Sequence, residues 1–251
     1  MLPITLKLKH RYNNNYNLDK GNKSFTSLTQ NDLEIVSFPV SPAVIEYVKM
    51  YKESKLTVIH ISDSSKKEPI EKSIYICRDV STDIFNAEKI YTRTFDKDDS
   101  YLVHKVSKDL STIAVTAKTK SMFDNIKYNR ISLIKFQNNL WTYFNDVVMP
   151  PRLKYKNRYR LSYIMSFDHK GDHLAVLLSP KDKVVVSSRK GCGVVFQRKD
   201  NRYIYKGYFK YRTSTSDQDK VLLDIKYDRD TQGLVIKLLG NKEHVCNLIT
   251  E

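Results

Sequence analysis

Short apolar segments alternate with polar turns along the chain, and one such arrangement recurs. Residues 163–178, YIMSFDHKGDHLAVLL, are typical of an apolar strand, a polar turn carrying Gly171 and a second apolar strand. In three places a hydrophobic residue ends the first strand and a small or β-branched residue follows eight positions later: Val106 and Ala114, Phe167 and Ala175, Tyr227 and Val235. The copies lie 61 and 60 residues apart. A repeat of strand pairs with this period predicts a β-propeller or an array of sheets.

The pattern between the repeats predicts further strands. Residues 3–11 alternate apolar and polar side chains, which is typical of a half-buried strand. Residues 130–136 and 141–148 form two more strands around a tight hairpin turn at residues 137–139. One unit therefore contains four strands, two around the repeated turn and two in a hairpin.

Residues 33–61 allow two interpretations. Ser41 and Pro42, followed by AVIEYVKMY, suit a helix with a serine cap and proline in its first turn. The alternative is a fourth, degenerate copy of the repeat, with strands near residues 45–51 and 56–61. We favour the strands because residues 56–61, LTVIHI, are strongly β-prone.

These elements predict an all-β fold, a small β-propeller of about four blades within a single domain, residues 1–251. The approximate blades are residues 24–100, 101–150, 151–215 and 216–251, the last together with strand 3–11. The last unit has three strands and the chain begins with an unpaired one. We expect the N-terminal strand to close the last blade, because an open edge invites aggregation. The alternative is an incomplete propeller that another protein completes.

Two of the repeated turns resemble a known family. The phrases VSKDLSTIAV (106–115) and SFDHKGDHLAV (166–176) are similar to the turn between the first two strands of WD40-like blades. In those blades a hydrophobic residue is followed by Ser or Asp, then by a Gly-containing turn, and then by Leu-Ala. The Trp-Asp and Gly-His dipeptides of that family are absent, and the single Trp is Trp141. The resemblance implies the fold and a tendency to act as a rigid interaction platform, without a site.

Composition narrows the class of protein. The 251 residues are 41% hydrophobic, which is enough for a substantial core. No apolar run approaches the ~20 residues of a membrane span, and the N-terminus lacks the apolar segment of a signal peptide, so we expect a cytoplasmic or nuclear protein. Cys77, Cys192 and Cys246 stand far apart, which favours buried reduced thiols over disulfides or a zinc site.

The candidate catalytic motifs are weak. Residues 168–173, DHKGDH, hold two imidazoles and two carboxylates, yet the glycine and the flanking strands favour a polar turn over a metal site. Cys192 between two glycines has no base nearby in sequence, so Gly191 and Gly193 more plausibly permit a bend or a bulge. Phosphate-binding loops and nucleophile elbows are absent from the sequence. We therefore predict a non-enzymatic protein that needs no metal or cofactor.

Charge gives the best functional lead. The formal net charge is +15, and residues 101–251 carry 28 Lys and Arg against 14 Asp and Glu. Every even position from 152 to 160 is basic, and residues 189–212 interleave cations with Tyr and Phe. Cations and aromatics together are typical of an RNA or single-strand surface. The candidate binding residues are Arg152, Lys154, Lys156, Arg158, Arg160, Arg189, Lys190, Arg198, Lys199, Arg202, Lys206, Lys210 and Arg212.

Several functions remain open from the sequence. The first hypothesis is a non-enzymatic scaffold, a subunit of a larger protein or ribonucleoprotein assembly. The second is direct binding of RNA or DNA through the basic region 152–212. The third is binding of acidic protein segments or phosphoinositides, which includes peripheral contact with an anionic membrane. Against all three stands a structural reading, in which the cations are a solvated sheet face and the tyrosines pack between blades.

Overall fold

The structure is a computed structural model that describes most of the repeat region and part of the N-terminal region. The described residues are 4–8, 28–30, 33–36, 43–51, 56–63, 69–78, 84–96, 100–119, 130–150, 159–180, 190–200, 202–212, 222–228, 233–239 and 243–249. The chain divides into two compact units, Met1–Leu102 and Val103–Glu251. Over these described ranges, no helix has the length and apolar character to cross a membrane. The prediction of one domain with four blade ranges stays a prediction.

Unit 1 contains one antiparallel sheet, sheet 1, of seven strands in the described residues. In chain order they are β1 (Ile4–Leu8), β2 (Leu28–Gln30), β3 (Leu33–Val36), β4 (Ala43–Tyr51), β5 (Leu56–Asp63), β6 (Ile70–Arg78) and β7 (Ile84–Phe95). Their order in the sheet is β2-β3-β1-β7-β6-β5-β4. β4 and β5 confirm the strand interpretation over the helix for this segment. Residues 52–55, between the two strands of the predicted fourth copy, lie outside the described residues.

The N-terminal strand β1 does not close the last blade. One edge of β1 pairs with β3, where Leu6 faces Ile35, and its other edge pairs with β7, where Leu6 faces Phe85. A strand has only two hydrogen-bonding edges, so β1 has none left for the C-terminal sheet. The closure prediction is therefore wrong. The free edge of β7 lies closer along the chain, and closing a shorter loop costs less entropy.

The remaining strands form three antiparallel meanders. Sheet 2 contains β8 (Ser100–Val106), β9 (Thr112–Thr119), β10 (Arg130–Gln137) and β11 (Leu140–Val148). The boundary between the two units falls inside the first strand of the first meander, β8. Sheet 3 contains β12 (Tyr159–Phe167), β13 (His173–Pro180), β14 (Lys190–Lys199) and β15 (Arg202–Arg212). Sheet 4 contains β16 (Leu222–Asp228), β17 (Gly233–Leu239) and β18 (Glu243–Cys246). The predicted all-β fold of about four antiparallel, blade-like sheets is confirmed.

The repeated turn has the same hydrogen bonds in its first two copies. In sheet 2 the backbone N–H of Ser107 donates to the carbonyl of Thr112 at 2.9 Å, and in sheet 3 the N–H of Asp168 donates to the carbonyl of His173 at 3.0 Å. In each copy the side chain of the first residue also accepts the backbone N–H of the last, at 2.9 Å and 3.1 Å. The 61-residue period in the sequence therefore corresponds to one recurring piece of backbone geometry.

The third copy of the repeat keeps the pairing register of the second. Phe167 faces Leu174 across β12 and β13, and Tyr227 faces Leu234 across β16 and β17. Both partners are displaced by 60 positions, as the sequence predicts. The turn between β16 and β17, residues 229–232, lies outside the described residues.

Sheet 3 is buried on both faces. Leu174, Val176 and Leu178 of β13 belong to a core shared with sheet 2, which supplies Ala114, Ile131, Leu133 and Val147. Ala175 and Leu177, which alternate with them, belong to a second core shared with sheet 4. Alternate side chains of a strand point to opposite faces, so β13 needs an unbroken apolar run. The sequence LAVLL of this strand has that character.

The glycines flanking Cys192 make room for aromatic rings. Gly191 lies opposite Tyr211, Gly193 lies opposite Phe209, and a Cβ atom at either glycine would overlap the ring of its partner. The bulge in this hairpin falls at Val195 and Phe196 instead. The prediction of a bend or bulge at the glycines is therefore wrong, because the two rings need the space above the glycine backbone.

Residues 247–249 join sheet 4 to sheet 3, and we call them the clasp. Ile249 exchanges two backbone hydrogen bonds with Tyr208 of β15, at 3.0 Å and 2.8 Å. A Cβ atom at Gly207 would lie 2.5 Å from the carbonyl oxygen of Ile249. The clasp can therefore approach β15 only because position 207 has no side chain.

We predict that Gly207→Ala lowers the free energy of unfolding by roughly 1–3 kcal/mol, because the methyl group displaces the clasp from β15. Urea unfolding followed by circular dichroism measures the loss. Deletion of residues 247–251 is the matched background, since it removes the carbonyl oxygen that the methyl group would meet. An equal loss in the full and shortened chains would show that the clasp is not the cause.

Candidate anion-binding surface

Four turns of unit 2 collect at one end of sheets 2 and 3, which we call the turn end. It comprises residues 107–111 and 137–140 and the adjoining Lys135 of sheet 2, and residues 168–172 and 198–202 of sheet 3, of which residue 201 is not described. In a meander, alternate connections lie at the same end of the sheet, so the first and third turns of each sheet lie at the same end. The two sheets meet here, since a Cβ atom at Gly171 would lie 3.4 Å from the Cβ of Ser107.

The turn backbones are held in left-handed conformations. Leu110 and Gly171 occupy equivalent positions of the repeated turn, with φ of 61° and 72°. Asn138 and Asn139 form the two-residue hairpin between β10 and β11 with φ of 52° and 63°. Two successive positive φ values are typical of a type I′ turn, which matches the twist of paired strands and suits asparagine. The predicted tight hairpin at residues 137–139 is confirmed.

Asp168 and His173 form a buried polar pair beneath the turn of sheet 3. Oδ2 of Asp168 lies 2.8 Å from Nδ1 of His173, and Oδ1 accepts the backbone N–H of Asp172 at 2.8 Å. Burial opposes the charge of Asp168, yet the hydrogen bonds from His173 and the backbone outweigh it and lower the pKa of this carboxyl. Nζ of Lys206 lies 3.5 Å from the other ring nitrogen of His173. These groups are engaged in holding the turn.

The equivalent turn of sheet 2 holds its carboxylate with hydroxyl groups. The Ser107 and Ser111 hydroxyls each donate to Asp109 at 2.5 Å, and the backbone N–H of Ser111 donates to it at 3.2 Å. Burial opposes the charge of Asp109, but these donors lower its pKa. Asp109 therefore stays ionised without a cation as its hydrogen-bond partner.

Cations outnumber carboxylates at the turn end. Its carboxylates are Asp109, Asp168, Asp172 and Asp200. Asp168 is buried beside His173, and Asp172 is paired with Arg198 at 2.6 Å. The cations of this surface are Lys108, Lys135, Lys170, Arg198, Lys199 and Arg202. Four of them, Lys108, Lys170, Lys199 and Arg202, are exposed. The surface therefore keeps a net positive charge after its internal ion pair is counted.

Lys135 lies at the junction of the two sheets. Its Nζ is 5.3 Å from the centre of the Phe144 ring, which packs edge-on against Tyr203 of sheet 3. The Tyr203 hydroxyl donates to the carbonyl of Gly171, so the same contact chain fixes the turn of sheet 3. Burial lowers the pKa of Lys135, the charge of Arg198 lowers it further, and Asp109 opposes both.

No family model matches the sequence. No curated protein is similar enough to be matched either. Among solved structures, the chain is similar to the β-propeller domain of Cps50 (Swd1) from Myceliophteria thermophila, with 7% sequence identity and a TM-score of 0.40 over 83% of this chain and 54% of that one. It is also similar to a eukaryotic initiation factor, with 12% identity and a TM-score of 0.28 over 82% of this chain and 55% of that one. The chain thus spans about half the length of each.

These similarities concern fold alone, and they place no site on this chain. The resemblance to WD40-like blades rests on the two repeated turns and on the antiparallel sheets of the structure. Any partner of this chain has to be inferred from its own residues.

The structure separates the predicted binding residues rather than gathering them. Arg198, Lys199 and Arg202 lie at the turn end, and Lys206 lies in the middle of β15 beside His173. The others that are described lie toward the opposite end of sheet 3: Arg160, Lys190, Lys210 and Arg212. Arg152, Lys154, Lys156, Arg158 and Arg189 lie outside the described residues.

The aromatic side chains of residues 189–212 are part of the core. Phe196, Tyr203, Phe209 and Tyr211 are buried, and the rings of Tyr205 and Tyr208 pack against the core between sheets 2 and 3. Four of the predicted aromatic side chains are therefore withdrawn into the core, whereas the half-buried ring of Tyr208 has Nζ of Lys210 5.8 Å from its centre. A ring with both faces covered by protein cannot stack on a base.

Three turn-end cations escaped the sequence argument: Lys108, Lys135 and Lys170. Lys108 and Lys170 belong to the repeated turn, whose two copies each place a lysine next to an aspartate or histidine. A lysine in each copy of the turn, at positions that differ by one, was the available signal. No sequence pattern indicated Lys135, because only the packing of the two sheets brings it to the same surface as Arg198.

The other candidate chemistry has structural explanations. His169 is exposed, whereas His173 is buried against Asp168, so the two imidazoles do not converge. In the described part of the chain, no group of three or more His, Cys, Asp or Glu is placed to hold a metal. Cys77 and Cys246 are buried as predicted, but Cys192 is only half-buried. Burial raises the pKa of the Cys192 thiol to about 11.

We predict that Asp168→Asn lowers the free energy of unfolding by about 1–3 kcal/mol at neutral pH, because it weakens several buried hydrogen bonds. The folded pKa of Asp168 lies below its unfolded value of about 3.9, so its stabilisation is present above that pH and is lost as the pH falls through the folded pKa. The difference between wild type and variant should therefore shrink in acid. Urea unfolding at a series of pH values measures it.

The matched control is Asp200→Asn, at an exposed turn position with φ of 51° that asparagine tolerates. We expect it to change stability by less than about 0.5 kcal/mol. A loss for Asp168→Asn that is the same at every pH would contradict the role assigned to its charge.

Proposed function

We propose that the protein is a non-enzymatic interaction scaffold that docks a polyanionic partner at its turn end, within a larger protein or ribonucleoprotein assembly. The observation that carries the proposal is the excess of cations on this surface. Among the described residues of this surface, six cations stand against four carboxylates, of which Asp172 is already paired with Arg198. Surplus charge of one sign raises the local concentration of oppositely charged ligands.

The packing beneath the turn end supports a platform role. The two turns that carry Lys108 and Lys170 rest on strands whose apolar side chains are fully buried, such as Val115 and Leu174. The Tyr203 hydroxyl fixes the turn at Gly171 within sheet 3, and the backbone N–H of Tyr203 donates to Oδ1 of Asn145 in sheet 2 at 3.3 Å, which ties the two sheets together. A surface that is already ordered loses little conformational entropy when a partner binds.

The state of the reactive groups supports a non-enzymatic role. The Asp168 and His173 side chains are 4% and 8% exposed and are bonded to each other, so a substrate has little access to them. The thiol of Cys192 has a pKa of about 11, which leaves almost no thiolate at neutral pH. The packing around the Asp168–His173 pair and around Cys192 explains why these side chains are there without a catalytic role.

We predict that the double variant Lys170→Glu and Lys199→Glu weakens binding to immobilised heparin, a generic polyanion, by roughly tenfold at low salt. Each reversal removes a cation from the turn end and adds a repelling charge. Elution from the heparin column along a salt gradient measures the effect, and the variant should elute earlier than wild type.

The control is Lys210→Glu with Lys226→Glu, two exposed lysines on β15 and β16, outside the turns of sheets 2 and 3, that make the same change in net charge. We expect it to elute close to wild type. Equal shifts for both double variants would mean that heparin senses only the total charge of the protein, and the turn end would lose its assigned role.

A further inference from the structure

We propose that the outer edge of β11 is a further docking site, at which an extended segment of another protein adds as a fifth strand of sheet 2. This site goes beyond the proposed function, because it depends on backbone and apolar contacts, whereas the turn end depends on charge. Two features carry it: an edge that lacks the protection of its counterparts, and an ordered group of exposed side chains beside that edge.

β11 has one hydrogen-bonding edge without a strand partner among the described residues. It is the last strand of sheet 2, has nine residues and pairs there with β10 alone. In an antiparallel sheet, alternate residues of a strand turn their N–H and C=O groups toward the same edge. The groups of β11 that face away from β10 therefore form a row, and the backbone of an added strand matches such a row.

The last strands of sheets 3 and 4 are protected against added strands. The clasp occupies the edge of β15 at Tyr208. β15 also carries four cations: Arg202, Lys206, Lys210 and Arg212. β18 has only four residues. Lysine side chains, a covering segment and shortness are means by which proteins keep sheet edges from pairing with other chains. β11, with the sequence LWTYFNDVV, has no Lys, Arg or Pro.

β11 also exposes more apolar side chains than any other described strand. Seven large hydrophobic side chains are exposed in the described part of the chain, and three of them lie on β11: Leu140, Tyr143 and Val148. The bulge of this hairpin interrupts the pairing near Tyr143 and leaves residues 145–148 in regular register with β10. An apolar sheet edge without protection is a site for contact with another chain.

Tyr143 and Val148 lie on the same face of sheet 2, beside an ordered polar group. Their partners on β10 are four positions apart, so the two side chains point to the same side. Asp146 accepts the Ser132 hydroxyl at 2.7 Å and is paired with Arg130 at 3.3 Å, directly opposite Val148. Tyr and Arg are enriched among the residues that dominate protein–protein binding, and ordered groups lose little entropy on binding.

Charge favours a different protein over a second copy of this chain. Each copy has a formal net charge of +15, and a charge of that size opposes self-association. The one charged residue of β11, Asp146, is already paired with Arg130. The added segment should therefore be neutral or acidic, with β-branched or aromatic side chains at alternate positions that pack beside Tyr143 and Val148.

The test begins with random peptides displayed on phage and selected on the immobilised full chain, each long enough to span the nine residues of β11. Enriched peptides should carry apolar residues at alternate positions. Synthetic, fluorescently labelled copies give affinities by anisotropy. Their binding should protect amides within residues 142–148 from hydrogen exchange, because the added strand accepts the N–H groups of that edge.

Val148→Asp is the decisive variant, because an added strand would have to desolvate the new carboxylate. We expect it to bind the selected peptides about tenfold more weakly, with an unchanged urea midpoint. The matched control is Val245→Asp on β18. Both valines are exposed, and each lies opposite a cation on the neighbouring strand, Arg130 or Lys237. The control should bind like wild type, and an equal loss in both variants would overturn the assignment to β11.

Methylation of peptide nitrogens distinguishes strand addition from other modes of binding. A strand bound along one edge tolerates N-methyl groups at the alternate residues that face away, and it loses binding when the other set is methylated. Equal effects of the two sets would contradict pairing with β11. A selection that enriches no peptide dependent on Val148 would overturn the proposal outright.

Two further measurements separate this site from the turn end and from self-association. Lys170→Glu with Lys199→Glu should leave peptide binding intact, and Val148→Asp should leave heparin binding intact, so either site can fail without the other. In the ultracentrifuge the chain alone should remain monomeric. A wild-type dimer that dissociates in Val148→Asp would show that a second copy occupies the edge, and the assignment to a different protein would be wrong.

Discussion

The burial of sheet 3 on both faces is the constraint on which the rest of unit 2 depends. Alternate residues of β13 serve two different cores, so neither face of this sheet is free to present polar chemistry. Aromatic residues of β14 and β15 are drawn into the same packing. The exposed charged groups of this sheet therefore concentrate at its edges and its turns.

Much of the fold was predictable because it follows from periodicity. The 61-residue spacing predicted the pair of turns, and the structure gives Ser107 and Asp168 the same role in them. The pairing of β1 was not predictable in this way. Its alternating pattern identifies a strand with one buried face, but the pattern does not say which edge it joins, and β7 offered an edge nearer along the chain.

The candidate site was only partly predictable. Sequence density drew attention to residues 189–212, whose cations the structure distributes along the whole length of sheet 3. A strand carries its residues about 3.3 Å apart, so neighbours in sequence end far from one another at opposite ends of a sheet. The surface instead combines Lys135 with Arg198, and only packing between sheets can bring such distant residues together. Most of the aromatic side chains of residues 189–212 are buried, so they are not available on a binding surface.

The clasp has a consequence for the order of events during synthesis. Tyr208 emerges from the ribosome well before Ile249, so the edge of β15 at that point lacks its partner until the later segment has been made. A nascent chain paused between them exposes backbone donors and acceptors that the finished protein covers, and such edges recruit other strands. The contact with Ile249 therefore makes the final pairing of sheet 3 a late, long-range step, which nothing upstream in the chain can complete on its own.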